Sequence, residues 1–199
     1  MTLPQSLLSD LERIPRDRPV ALVMRHAHRF PITDPATNYQ VGLTEEGVQA
    51  AEALGYRLAR QFAPGRVMSS PVGRCVKTAE AIARGAGWPA AVVPHHLLSH
   101  DHIAPAWSLA ELGRCAGEAP AEVLATLGLL LKQDHAQPVL EVMVTHDTIV
   151  GAIANCLLHA SILGDDWPLY LEGVFFWLAE DGVHALWRGS EQILEEVTL

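Results

Sequence analysis

The chain has 199 residues, with 14 Lys plus Arg against 23 Asp plus Glu, a net charge of −9 and ten histidines. A surplus of acid excludes broad binding to nucleic acid or anionic lipid, which needs clustered basic residues. A hydrophobic share of 49% with 19% charged residues excludes a disordered chain and suits one packed domain over 1–199.

Residues 1–18 interleave Asp10, Glu12, Arg13 and Arg16 with apolar positions, so no signal-peptide core forms there. After Pro19, VALVMRH (20–26) is a short apolar run bounded by proline and by charge that predicts a strand buried on both faces. Thr44 opens a helix with Glu45 and Glu46 in its first turn, and Val48, Ala51, Leu54, Leu58 and Phe62 form its apolar stripe. Pro64-Gly65 is expected to stop it before a second strand over 66–70. Ser70-Pro71 then reads as an N-cap followed by proline, with Val72, Val76, Ala79 and Ile82 inward and Gly85 and Gly87 closing the helix.

A third strand is expected over 90–93, an irregular stretch over 94–117 and a helix from Pro120. Residues 139–145 predict a strand that runs into His146-Asp147, followed by a helix with Ile149, Val150, Ile153, Leu157 and Leu158 inward. Residues 174–178 and 183–187, around Asp181-Gly182, predict a hairpin. Alternating strands and helices imply an α/β fold, a three-layer α/β/α sandwich around a mainly parallel sheet. The apolar stretch 149–163 is too short to span a bilayer. Cys75, Cys115 and Cys156 lack metal-site spacing and read as reduced thiols, so the expectation is a cytoplasmic protein.

Ligands of such sheets sit beyond the carboxyl ends of the strands. Three of those ends carry RHAHRFP (25–31), SSPVGR (69–74) and THDT (145–148). Together they bring Arg25, Arg29, Arg74, His26, His146 and Asp147 to one edge. Guanidinium forks beside histidines suit a phosphoryl group. Each piece alone has a plainer reading, as solvated charge or a capping histidine; their convergence points to a site. His95, His96, His100 and His102 could chelate a metal, but adjacent and alternate histidines on an irregular loop fit a polar roof better.

These segments resemble the histidine phosphatase superfamily. VMRHAHRFP is similar to its Arg-His-Gly signature, with Ala27 in place of glycine, which predicts a strained backbone approach. LTEEGVQAAEALG (43–55), SSPVGRCVKTAEAIA (69–83) and VMVTHDTIVGAI (142–153) are similar to three further segments of the family in order, and PLYLEGVFFW (168–177) more loosely to its C-terminal strand. The resemblance implies a phosphoglycerate mutase-like fold and a phosphohistidine intermediate on His26. It also implies phosphate binding by Arg25, Arg29, Arg74 and His146, no metal or other cofactor, and a small phosphorylated substrate. The spacing of 25–31 and the His146-Asp147 pair resemble the acid-phosphatase branch, whose proton donor would be Asp147. The short chain and the LTEEG and SSPVGR segments resemble the mutase-like branch, whose donor would be a loop carboxylate such as Asp101 or Glu111. The chain leaves no room for a large cap domain. The main expectation is a metal-independent phosphomonoesterase with Asp147 as acid. The alternatives are a phosphomutase, a weakly active phospho-ligand sensor and, from His146-Asp147 alone, a metal-dependent HD-type phosphohydrolase.

Overall fold

In the computed structural model the structure describes residues 2–89, 91–95, 98–99, 138–160, 162 and 166–194. The segment between Val20 and Arg25 forms β1, and all six of its residues are buried. It is followed by a 3-10 helix (Pro35–Gln40), α2 (Glu45–Ala59), β2 (Ala63–Ser69), α3 (Gly73–Ala86), β3 (Val92–Pro94), β4 (Val139–Thr145) and α4 (Asp147–Leu158). The remaining strands are β5 (Gly173–Ala179), β6 (Gly182–Trp187) and β7 (Ser190–Leu194), and α1 (Gln5–Arg13) precedes β1.

The seven strands form one sheet in the order β3-β2-β4-β1-β5-β6-β7. Pairing is parallel from β3 to β1, then antiparallel through β5, β6 and β7. The fold is α/β as expected, with the hairpin and β7 adding an antiparallel wing to the parallel half. Side chains alternate across β1. Val20, Leu22 and Met24 join Leu7, Leu11, Leu54, Leu58 and Ile82 under α1, α2 and α3. Ala21 and Val23 join Ile149, Val150, Ile153 and Leu158 under α4. Helices therefore cover both faces, which is why β1 and β4 read as unbroken apolar runs.

Local physics explains where the structure departs from the sequence reading. Pro64-Gly65 does not separate helix from strand but lies inside β2, at a register shift between Pro64 and Val67. Buried Glu141 on β4 accepts the Arg66 N–H at 2.6 Å, replacing the ladder bond lost at this bulge. Helix α3 begins at Gly73 with Val72 as its cap residue and no side-chain cap, so Ser70-Pro71 is not the N-cap pair. The Ser70 hydroxyl instead accepts the Val72 N–H and turns towards the site. Helix α1, the 3-10 helix and β7 had no counterpart in the sequence reading. Strand β3 occupies 92–94, and the helix expected from Pro120 lies outside the described residues. Ala27, in place of the glycine, is fully buried and has no positive φ.

Candidate active site

Backbone register assembles the site. Arg25 pairs with Thr145 across β1 and β4, and Ser69 with Val144 across β2 and β4. The ladder continues past the strand ends: His26 N–H donates to Thr145 O at 2.9 Å and Ser70 N–H to Val144 O at 2.8 Å. His26, Ser70 and His146 thus stand side by side on rigid backbone.

The loop after β1 is fixed in turn to α2. Thr44 caps that helix by accepting the Gly47 N–H, and the Thr44 N–H donates to His28 O at 3.0 Å. A Cβ on Gly47 would lie 2.2 Å from the same His28 oxygen, so only glycine fits this approach. The His28 ring pairs with the Thr44 hydroxyl at 2.9 Å. On the other side, the Ala27 N–H donates to the Thr78 hydroxyl, which itself donates to Arg74 O.

His26 is 2% exposed. Its Nδ1 donates to Ala27 O at 2.8 Å, which leaves Nε2 with its lone pair, and Arg74 Nε donates to that lone pair at 3.1 Å. Burial pushes the imidazole down to about 3, helped by the charges of His146, Arg74 and Arg25 and opposed by the Ala27 carbonyl. The ring is neutral at pH 7. The His26 and His146 rings lie edge to face, with centroids 5.6 Å apart. Arg74 spans them: Nη2 faces His146 Nδ1 at 3.3 Å, and Nη1 donates to Asn38 O at 2.8 Å. His146 Nε2 stands 3.1 Å from Ser70 Oγ and 3.6 Å from Cys75 Sγ. Cys75 is a free, buried thiol that burial pushes up to about 12, so it stays protonated and unreactive.

Arg25 is held on three sides. Nη2 meets Asp147 Oδ2 at 2.8 Å, Nη1 donates to Pro168 O at 2.6 Å, and the Tyr170 ring lies 3.9 Å beneath the guanidinium carbon. Its Nε is buried and has no hydrogen-bond partner among the described residues. A buried guanidinium N–H without a protein partner is a donor that can serve an anion. Burial is the largest influence on Asp147 and raises its carboxyl; Arg25, Trp167, His26 and the Thr148 N–H outweigh it and hold the group below the ordinary carboxylate value.

Of the residues singled out in the sequence, Arg25, His26, Arg74, His146 and Asp147 come together. Arg29 stays at the rim: it donates to Phe30 O, and its charge is felt by Arg25 and Arg74 without a hydrogen bond to either histidine. Asp101, Glu111, His96, His100 and His102 lie outside the described residues. Among the described residues no group of three His, Cys, Asp or Glu side chains could hold a metal ion, and no helix is long and apolar enough to cross a membrane. Tyr170, Thr78 and Ser70 were missed as site residues. Tyr170 left no signal, because it follows a loop far along the chain and obeys no periodicity; Ser70 was visible but was assigned to the helix cap.

Residues 22–99 match the family model of the histidine phosphatase superfamily (branch 1), a segment that runs from β1 past β3. No curated protein matches the sequence. Among solved structures, the chain is similar to the protein histidine phosphatase SixA complexed with tungstate, at 18% identity and a TM-score of 0.53 over 88% of this chain and 94% of that one. It is also similar to Bacillus stearothermophilus YhfR, at 17% identity and a TM-score of 0.55 over 90% and 97%. A third is phosphoglycerate mutase from Bacillus anthracis, at 13% identity and a TM-score of 0.54 over 92% and 94%. Likeness at these identities speaks for the fold, and the matched segment holds Arg25 and His26 at the end of β1 and Arg74 on α3, while His146 and Asp147 lie beyond it. The chain is thus similar to the histidine phosphatase superfamily over residues 22–99, and its architecture is similar to that of these solved structures.

Proposed function

We propose that this protein hydrolyses a small phosphomonoester through a phosphohistidine on His26. The observation that carries the reading is the state of His26: a buried, neutral imidazole anchored through Nδ1, with Nε2 bonded, among the described residues, only to a guanidinium that can turn to a phosphoryl oxygen. In the first step Nε2 attacks phosphorus, the N–P bond forms and the P–O bond to the leaving group breaks. Arg25, Arg74 and His146 hold the phosphoryl oxygens, with Arg29 adding charge from the rim. In the second step water attacks phosphorus, the P–N bond breaks and phosphate leaves. The net reaction converts a phosphomonoester and water to an alcohol and phosphate.

Asp147 is the acid and base of this scheme. Paired with Arg25 it rests ionised, the form that accepts a proton from the attacking water. A phosphoryl dianion entering beside Arg25 draws off that attraction and raises the carboxyl, so that it can carry the proton needed by the leaving oxygen.

The test is hydrolysis of an aryl phosphate in EDTA by the wild type and by His26→Ala, with acid-labile phosphoprotein trapped by rapid quench. Activity and trapped phosphate are expected in EDTA and absent from His26→Ala. Loss in EDTA, or turnover by His26→Ala, overturns the mechanism. Asp147→Asn is expected to slow alkyl phosphates far more than p-nitrophenyl phosphate, whose leaving group needs little protonation; the same pattern from Asp101→Asn instead would move the acid to the loop.

A further inference from the structure

We infer that Tyr170 is a positioning residue that fixes the Arg25 guanidinium for phosphoryl binding; the inference rests on the phosphate-binding role proposed for Arg25. The ring lies flat enough under Arg25 to put its centroid 3.9 Å from the guanidinium carbon. The same ring contacts His26 at 5.8 Å and meets His28 edge-on at 5.0 Å. Tyr170 therefore touches the nucleophile segment on two sides and its arginine on a third. A guanidinium can rotate about its long stem, and an aromatic face restricts it to one plane. With that plane set, Nη1 and Nη2 are spent on Pro168 O and Asp147, and Nε is the nitrogen left without a partner.

The ring itself is held by a locked loop. Glu172, 1% exposed, accepts the Leu169 N–H at 2.8 Å and two bonds from Arg188, each of 2.8 Å. Arg188 also donates to Asp166 O and Trp167 O. Between Tyr170 and Glu172, fully buried Leu171 has φ of 63°, a left-handed conformation that a bulky residue keeps only when its surroundings dictate it. Two backbone hydrogen bonds fasten this loop to the nucleophile segment: Leu171 N–H donates to His26 O and Arg25 N–H to Glu172 O. The loop and the phosphate-binding arginine are thus one rigid unit, and Tyr170 is the side chain through which it acts.

The experiment measures inorganic phosphate binding by calorimetry and aryl phosphate kinetics for Tyr170→Phe, Tyr170→Trp, Tyr170→Leu, and Tyr170→Leu in an Arg25→Met background. Tyr170→Leu is expected to weaken phosphate binding on the order of tenfold and to raise KM more than it lowers kcat, while Tyr170→Phe stays within about twofold. In the Arg25→Met background Tyr170→Leu should change nothing further, because its target is gone. Equal losses in both backgrounds, or an unchanged phosphate affinity in Tyr170→Leu, overturn the proposal. Should Tyr170→Leu fail to fold, the order Trp and Tyr and Phe together, against a weaker Tyr170→His, decides it. A wild type that binds phosphate but hydrolyses no phosphomonoester sinks the phosphatase reading and leaves this one to the binding data; a wild type that binds no phosphate sinks both.

Discussion

At the scale of single residues, His26 ties stability to acidity. Its imidazole titrates near 6.5 when the chain is unfolded and is pushed to about 3 by burial in the fold. Between those values the unfolded state binds more protons, so the folded state loses stability as pH falls through that window. Asp147, held below its ordinary value, adds a loss in the same direction at the acid end. Urea midpoints should therefore fall from about pH 6.5 downward, with a shallower slope in His26→Asn. The same shift implies that the His26 imidazole, the nucleophile of the proposed mechanism, stays unprotonated at pH 5, so the acid limb of kcat/KM should not follow an ordinary histidine; a limb centred on 6.5 would contradict the buried, neutral ring. The residues of this site were legible because they are chemically rare types at three strand ends. Tyr170 was not, since what gives it a role is a contact with Arg25 across 145 positions of chain, and no local pattern encodes such a contact.

At the scale of elements, α2 and α3 pack without side chains between them at two points. A Cβ on Gly55 would lie 2.1 Å from Ile82 O, and one on Gly85 2.0 Å from Glu52 O. Each helix lays a glycine against the other's backbone, and Arg84 closes the seam on Glu52 at 2.7 Å. Gly55→Ala or Gly85→Ala should gain helix propensity yet force the helices apart, with a net cost of about 1–3 kcal/mol in chemical denaturation. The seam matters to the site because α2 begins at Thr44, beside His28, and α3 carries Arg74, Cys75 and Thr78. Element types followed the periodicity well for α2, α4, β1, β4 and the β5–β6 hairpin, where buried faces dictate the pattern. Boundaries were lost where tertiary partners overrode local signals. Glu141 made a strand of Pro64-Gly65, and His146 drew Ser70 away from capping α3.

At the scale of the whole molecule, the two ends of the described chain are stitched together beside the site. Ser6 of α1 donates to Glu172 at 2.6 Å, the Gly189 N–H donates to buried Asp10, and Arg13 donates to Gly189 O. Glu172 and Arg188 form the centre of this knot. Removing Arg188 alone leaves a buried carboxylate without its partner, so Arg188→Met should cost about 3–5 kcal/mol, whereas Glu172→Met with Arg188→Met should recover much of that loss. Equilibrium unfolding of the two variants checks the difference. None of this was visible in the sequence, since α1 carries its apolar face among charges and β7 is a five-residue edge strand with exposed residues.

The peptide ladder that carries β1 and β4 past their ends also acts as a ruler. Neighbouring strands lie about 4.8 Å apart by the geometry of the hydrogen bond, and the imidazoles of His26 and His146, each just past the end of one of these strands, have centroids 5.6 Å apart. The spacing of the backbone that carries the two rings is thus a property of the sheet, common to any sequence that pairs these strands in this register. Side-chain substitution can change the charge around the two rings, but moving their backbone anchors apart would mean unpairing β1 from β4. On the proposed function, the backbone sets where a phosphoryl group would be held, and what that group is attached to is left to the loops around it.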